Sequence, residues 1–341
     1  MSLQRGSDSR SLERPSPTAS PTARPLVAVA RRLAVHDWLI LGFLGWLWLE
    51  AWQGMGPDRP QCLLAMSVLL GAFVVTLALV RGHVVAEGAT TYVLYRVMAL
   101  ACVQLTYFVL RKLLPEAQPG SLDDALYRLD LRLFGVEPTL WADRFVTPHL
   151  TEWFSFFYFS YFALLIAHVI PILFFERRVR LLSEFGLAMF AVVCLTHVLY
   201  FLVPGFGPHR HLAALFHHSL PAGRWHDMVM RAVASGGAQK DIFPSLHTGA
   251  PSLMAMFSFR HRAVRPFRYS WPLVAFFSVN IMGATIYLRW HYLVDVIAGL
   301  ALAWAATAIA PRVIRWEERR RERLGLEPTW PRWRGDAASE C

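Results

Sequence analysis

Eight stretches of this chain are apolar over lengths close to that of a membrane span, and this feature limits its fold more than any other. A helix crossing a bilayer needs about 20 mostly apolar residues, because lipid offers nothing to hydrogen-bond an exposed backbone. The stretches cover roughly 35–53, 62–80, 91–110, 152–175, 184–203, 244–259, 271–288 and 291–310, the first and sixth being the weakest. Only 17% of the 341 residues are charged, and the mean hydropathy is +0.37. A soluble domain carries nearer a quarter charged residues. The expected fold class is all-α, a polytopic membrane helix bundle of about eight spans.

The net charge of +10 raises the question of nucleic acid, but its distribution argues against that partner. Six arginines lie in 1–34, three in 176–183, four in 260–270 and eight in 312–341. With eight spans and a cytoplasmic N-terminus, all of these fall on one side, as the positive-inside rule requires. Both termini are therefore expected in the cytoplasm. Residues 1–34, rich in Ser, Pro and Arg, read as a disordered tail, and 312–341 as a basic one. Between them lie N-terminal spans (35–110), an extracytoplasmic segment (111–151) and a transmembrane core (152–311).

Two long segments then face away from the cytoplasm. In the first, 111–151, apolar residues from Leu122 to Phe134 recur at helical spacing, which predicts an interfacial amphipathic helix. The second, 204–243, is basic and contains five histidines, His209, His211, His217, His218 and His226. An anionic substrate would account for so basic an outer loop. The cysteines Cys62, Cys102, Cys194 and Cys341 form no metal-ligand spacing, and the first three read as small buried hydrophobes.

Three polar clusters reach that same outer face. They are Gly207-Pro208-His209-Arg210, Phe243-Pro244-Ser245-Leu246-His247-Thr248, and the run from Tyr287 to Asp295 that contains Arg289 and His291. His291 and Asp295 are four apart and share a helix face. A carboxylate there can take the imidazole Nδ1 proton and leave Nε2 as a nucleophile or base. An ionisable residue such as Asp295 within an apolar run is a functional candidate, although a self-satisfied structural pair is the alternative. Pro244 suits a first helical turn, with Asp241 as its cap, and such a turn favours phosphate. His247 within it could protonate a leaving oxygen. Arg289 and Arg210 supply guanidinium forks suited to phosphate, with Ser245 and Lys240 as further contacts; interfacial snorkelling is the alternative for the basic residues.

Together these clusters resemble the type 2 phosphatidic acid phosphatase superfamily, whose three motifs run in this order on a six-helix core. The FPSLHT and YLR-x-HY-x₂-D patterns are similar to its inositolphosphotransferase branch, the inositol phosphorylceramide synthase-like proteins. The resemblance covers about 123–310. It departs from the broad pattern in having Gly-Pro-His-Arg as the first motif, and Thr285 where an arginine is usual. The resemblance implies a metal-independent lipid phosphatase or phosphotransferase without cofactor. His291 would form a phosphohistidine, Asp295 would orient it, His247 would be the acid, and Arg210 and Arg289 would bind phosphate. The substrate would be a lipid phosphate or phospholipid headgroup, and the acceptor water or a polyol such as inositol. The competing expectations are a haem or metal protein using His168 and His197, and a transporter or inactive scaffold.

Overall fold

The computed structural model describes residues 25–86, 88–236 and 239–330, and these contain thirteen α-helices and no strand. Cys341 and residues 1–24 lie outside the described residues. The helices are α1 (Pro25–Arg32), α2 (Val35–Gln53), α3 (Arg59–Arg81), α4 (Ala89–Ala117), α5 (Asp123–Phe134), α6 (Pro138–Ala142) and α7 (Pro148–Phe175). They continue with α8 (Val179–Leu202), α9 (Pro208–His211), α10 (Arg224–Gly236), α11 (Leu246–Arg260), α12 (Phe267–Tyr287) and α13 (Leu293–Arg323).

Six of these helices, α3, α4, α7, α8, α12 and α13, are long and apolar enough to cross a membrane. This is an integral membrane protein. The other two expected spans form α2 and α11. Asp37 and Glu50 dilute the apolar run of α2, and α11 has only 15 residues because a polar motif occupies its start. Both pack lengthwise within the bundle, α2 on α3 and α8, and α11 on α12 and α13. At the centre stands α8, with 72% of its apolar window buried against 28–44% for the other five.

Close packing at one end of the bundle depends on missing side chains. A Cβ on Gly299 of α13 would lie 2.4 Å from the carbonyl oxygen of Ser245, so the glycine lets α13 rest on the start of α11. Gly207 is needed twice over, since its φ of +87° suits glycine and a Cβ would sit 2.4 Å from the Trp290 carbonyl oxygen.

The opposite end is closed by a buried polar network. Asp37 accepts from Arg81 Nε at 2.8 Å and from the Tyr95 hydroxyl at 2.6 Å, and Arg81 reaches the Thr329 carbonyl. Residues 312–330 of the expected tail are therefore ordered, and 331–341 lie outside the described residues. α13 runs on to Arg323, and the chain after it returns to bury Trp330 completely. The edge of Trp330 meets the rings of His36 and Tyr95. Burial of one indole and pairing of arginines outweigh the solubility that composition alone suggested.

Candidate active site

The site forms where the three polar clusters meet, and backbone hydrogen bonds bring them together. Ser245 N–H donates to the Asp295 carbonyl at 3.0 Å, joining the start of α11 to the first turn of α13. His209 N–H donates to the Arg289 carbonyl at 2.7 Å, joining the first cluster to the third. Gly205 pairs with Asp241 in an isolated bridge. Relative positions within the site are thus set by main chain, which is more rigid than side-chain contact alone.

α5 anchors this assembly. Its buried residues Asp123, Leu126 and Asp130 follow helical spacing on one face. Asp123 accepts the Phe206 and Gly207 N–H groups, each at 2.8 Å, and the Tyr292 hydroxyl at 3.2 Å. Asp130 accepts Leu293 N–H at 2.7 Å and Val294 N–H at 3.0 Å, satisfying the free donors at the start of α13. The expected amphipathic helix is present, but carboxylates lead its inward face while Leu133 and Phe134 are exposed.

His291 lies in the turn before α13 and is 4% exposed. Its Nδ1 is 3.5 Å from Asp295 Oδ2, an ion-pair distance without hydrogen-bond alignment. Asp295 is fully buried, and the same oxygen accepts Tyr292 N–H at 2.9 Å. Burial lowers the pKa of His291 to about 4, against the opposing charge of Asp241 and the Ile242 backbone. The ring is therefore neutral near pH 7, with a lone pair to use. Burial also raises the Asp241 carboxyl to about 6, although a Tyr107 hydroxyl 2.9 Å away opposes this.

His247 is the second residue of α11. Its ring stacks on Tyr158, with centroids 4.4 Å apart and planes 10° apart, and lies 4.2 Å from the Tyr161 ring. Its Nε2 has no hydrogen-bond partner among the described residues. Ser245 caps α11 in place of the expected Asp241, its hydroxyl accepting Thr248 N–H at 3.3 Å. Pro244 precedes the cap, so the helix starts two residues later than its sequence suggested.

His247, His291, His209 and Arg210 all line one cavity of about 600 Å³. The Arg210 guanidinium lies over the Phe206 ring at 4.0 Å and has no acidic partner among the described residues. The other phosphate-contact candidates stand outside the cavity lining. Arg289 donates to Asp143 at 2.7 Å and to the His218 carbonyl at 2.6 Å, and packs over Phe216. Lys240 Nζ is held by the carbonyls of Gln118, Pro119 and Gly120. Ser245 is fully buried as the cap.

A family model for the PAP2 superfamily matches residues 124–309, more than half of the chain. The chain belongs to the PAP2 superfamily. As a PAP2 protein with membrane-spanning helices it is a membrane phosphatase-type enzyme. The match runs from α5 into α13, so α1–α4 lie outside it. No curated protein and no solved structure matches the chain.

Sequence reasoning missed Asp123, Asp130 and Asp143, which hold the site together. Their signal was acidic residues on the inward-facing repeat of a short helix and beside it. No group of three His, Cys, Asp or Glu among the described residues is placed to hold a metal ion. His168 and His197, the residues of the haem reading, contact Ser258 at 3.4 Å and Thr106 at 3.3 Å respectively.

Proposed function

We propose that this protein transfers the phosphoryl group of a lipid phosphate or phospholipid headgroup through a phosphohistidine on His291. The observation that carries the reading is that His291 and His247 open onto one cavity continuous with the apolar interior between α4, α7 and α8. A soluble phosphate ester would gain nothing from such a cavity, whereas a lipid chain would fill it.

The chemistry follows from the residues. Asp295 faces Nδ1 at 3.5 Å and would take up its N–H as the ring moves onto substrate, which leaves neutral Nε2 to attack phosphorus. The P–O bond to the lipid breaks, and His247, which takes up a proton as the anionic phosphate enters beside it, gives that proton to the departing oxygen. Neutral His247 then takes the proton of the incoming acceptor as that oxygen attacks the phosphohistidine, which frees His291. Arg210 balances the charge on the phosphoryl oxygens. Water as acceptor makes the enzyme a hydrolase. An alcohol such as inositol makes it a transferase of the inositolphosphotransferase type.

The arginine distribution supports cytoplasmic termini and an extracytoplasmic site, with 152–311 as the catalytic core and 111–151 as its outer anchor. The test is a panel of labelled lipid phosphates offered to purified protein with and without inositol, in the presence of EDTA. Free phosphate identifies hydrolysis and a new lipid product identifies transfer. Loss of turnover on adding EDTA would contradict the metal-independent route.

A further inference from the structure

Below the histidines the cavity continues as a slot walled by α4, α7 and α8. Its lining extends from Arg111 to Leu100 on α4 and from Tyr158 to Ile170 on α7, about 16–18 Å of helix in each case. That depth is about half the ~30 Å hydrocarbon thickness of a bilayer. Phe162 and Ile166 line the slot and are also 47% and 65% exposed on α7, so this wall faces lipid.

The slot is mostly apolar, and some of the polar groups that line it have no hydrogen-bond partner among the described residues. His197 on α8 lines it and is 1% exposed, yet its Nε2 has no hydrogen-bond partner among the described residues. Its tautomer can be assigned from its neighbour. Thr106 donates its hydroxyl hydrogen to the Val103 carbonyl at 2.6 Å, so toward His197 Nδ1, 3.3 Å away, it acts as acceptor. Nδ1 therefore carries the proton, and Nε2 presents a lone pair. One turn along α8, the Tyr200 hydroxyl makes no hydrogen bond to the described residues, and neither does the Gln104 amide on α4; both residues line the slot. Unmatched polar groups in a membrane interior are costly and mark the path of a ligand.

We propose that His197 Nε2 accepts a hydrogen bond from a hydroxyl or amide N–H on the backbone of the bound lipid, with Tyr200 and Gln104 donating to its carbonyl oxygen. The substrate is then a lipid phosphate with a hydrogen-bond donor near the phosphate, not a polyprenyl phosphate or a fully acylated glycerol phosphate. This rests on the lipid-phosphate reading of the same cavity, and a binding test separates the two because it needs no turnover.

The experiment uses full-length His291→Ala protein in detergent micelles and measures dissociation constants for 1-acylglycerol 3-phosphate and its 2-deoxy analogue. An N-acyl amino-alcohol phosphate and its N-methyl analogue form a second pair, which separates hydroxyl from amide as the donor. In at least one pair the donor-bearing lipid binds about tenfold tighter, as one well-placed hydrogen bond allows. Adding His197→Leu abolishes that gap, and Thr106→Val, which releases the tautomer, narrows it. Equal affinities within both pairs, a gap that survives His197→Leu, or no binding by any of the four lipids overturns the proposal. If the binding gap is present but wild-type protein turns over none of these lipids, the catalytic reading fails and the subsite stands.

Discussion

The guanidinium of Arg289 lies 2.7 Å from the carboxylate of Asp143, so the arginine nearest in sequence to the proposed nucleophile is bound to the segment between α6 and α7 and not to the cavity. Arg289 has a φ of +66°, unfavourable for any residue with a side chain, while its carbonyl receives His209 N–H. Asp143 keeps this turn in place. Burial pushes the Asp143 carboxyl up, but the His217 N–H, the His218 ring and the Arg289 charge outweigh it and hold it below the usual range.

Asp143→Ala should therefore lower kcat by roughly 10²-fold through displacement of the turn that carries His291. Steady-state kinetics on the substrate identified by the lipid panel checks this, and unchanged kcat would contradict it. Because the Asp143 pKa is lowered on folding, its contribution to stability is complete above the ordinary carboxylate range and is lost only as pH falls below it.

Asp130→Ala should lower the thermal midpoint, since it leaves the Leu293 and Val294 N–H groups at the start of α13 without an acceptor. A cost of roughly 2 kcal/mol or more is expected, because unmade buried hydrogen bonds carry most of their desolvation penalty. Thermal unfolding in detergent measures it. A midpoint equal to the wild type would show that α5 does not support α13.

Much of this arrangement was legible in the sequence. The apolar runs located the helices, and the His291–Asp295 spacing placed the two residues together. The anchoring role of α5 was not legible, because Asp123 and Asp130 resemble the solvated face of an interfacial helix. Only the tertiary fold reveals that their partners are backbone N–H groups eighty or more residues away. The commitment of Arg289 and Lys240 to other partners was hidden for the same reason, since sequence shows a charge but not the group that neutralises it. The burial of Trp330 needed the pocket formed by His36, Tyr95 and Gly186, residues on three separate helices.

Arg210 and Lys240 should separate in function. Arg210→Ala should raise KM about tenfold or more, the loss expected for a charged hydrogen bond to phosphate. Lys240→Met should leave KM within about twofold and instead lower thermal stability, because its ammonium holds three carbonyls. A larger KM effect at Lys240 than at Arg210 would contradict the assignment.

The dependence on pH should reveal the buried state of His291. With a pKa of about 4 the ring is neutral at pH 6 by about a hundred to one, so its protonation should not reduce kcat/KM between pH 7 and 5.5. The loss due to His291 should be centred near pH 4. A limb centred near 6.5 would mean an imidazole exposed to water.

The central claim, a phosphoryl group carried on His291, is tested most directly by rapid acid-free quenching during turnover of a ³²P-labelled lipid phosphate. Wild-type protein should carry a base-stable, acid-labile label that maps to the peptide containing His291, and His291→Ala should carry none. Label of the same stability on His291→Ala protein, or full turnover by that variant, would contradict the account.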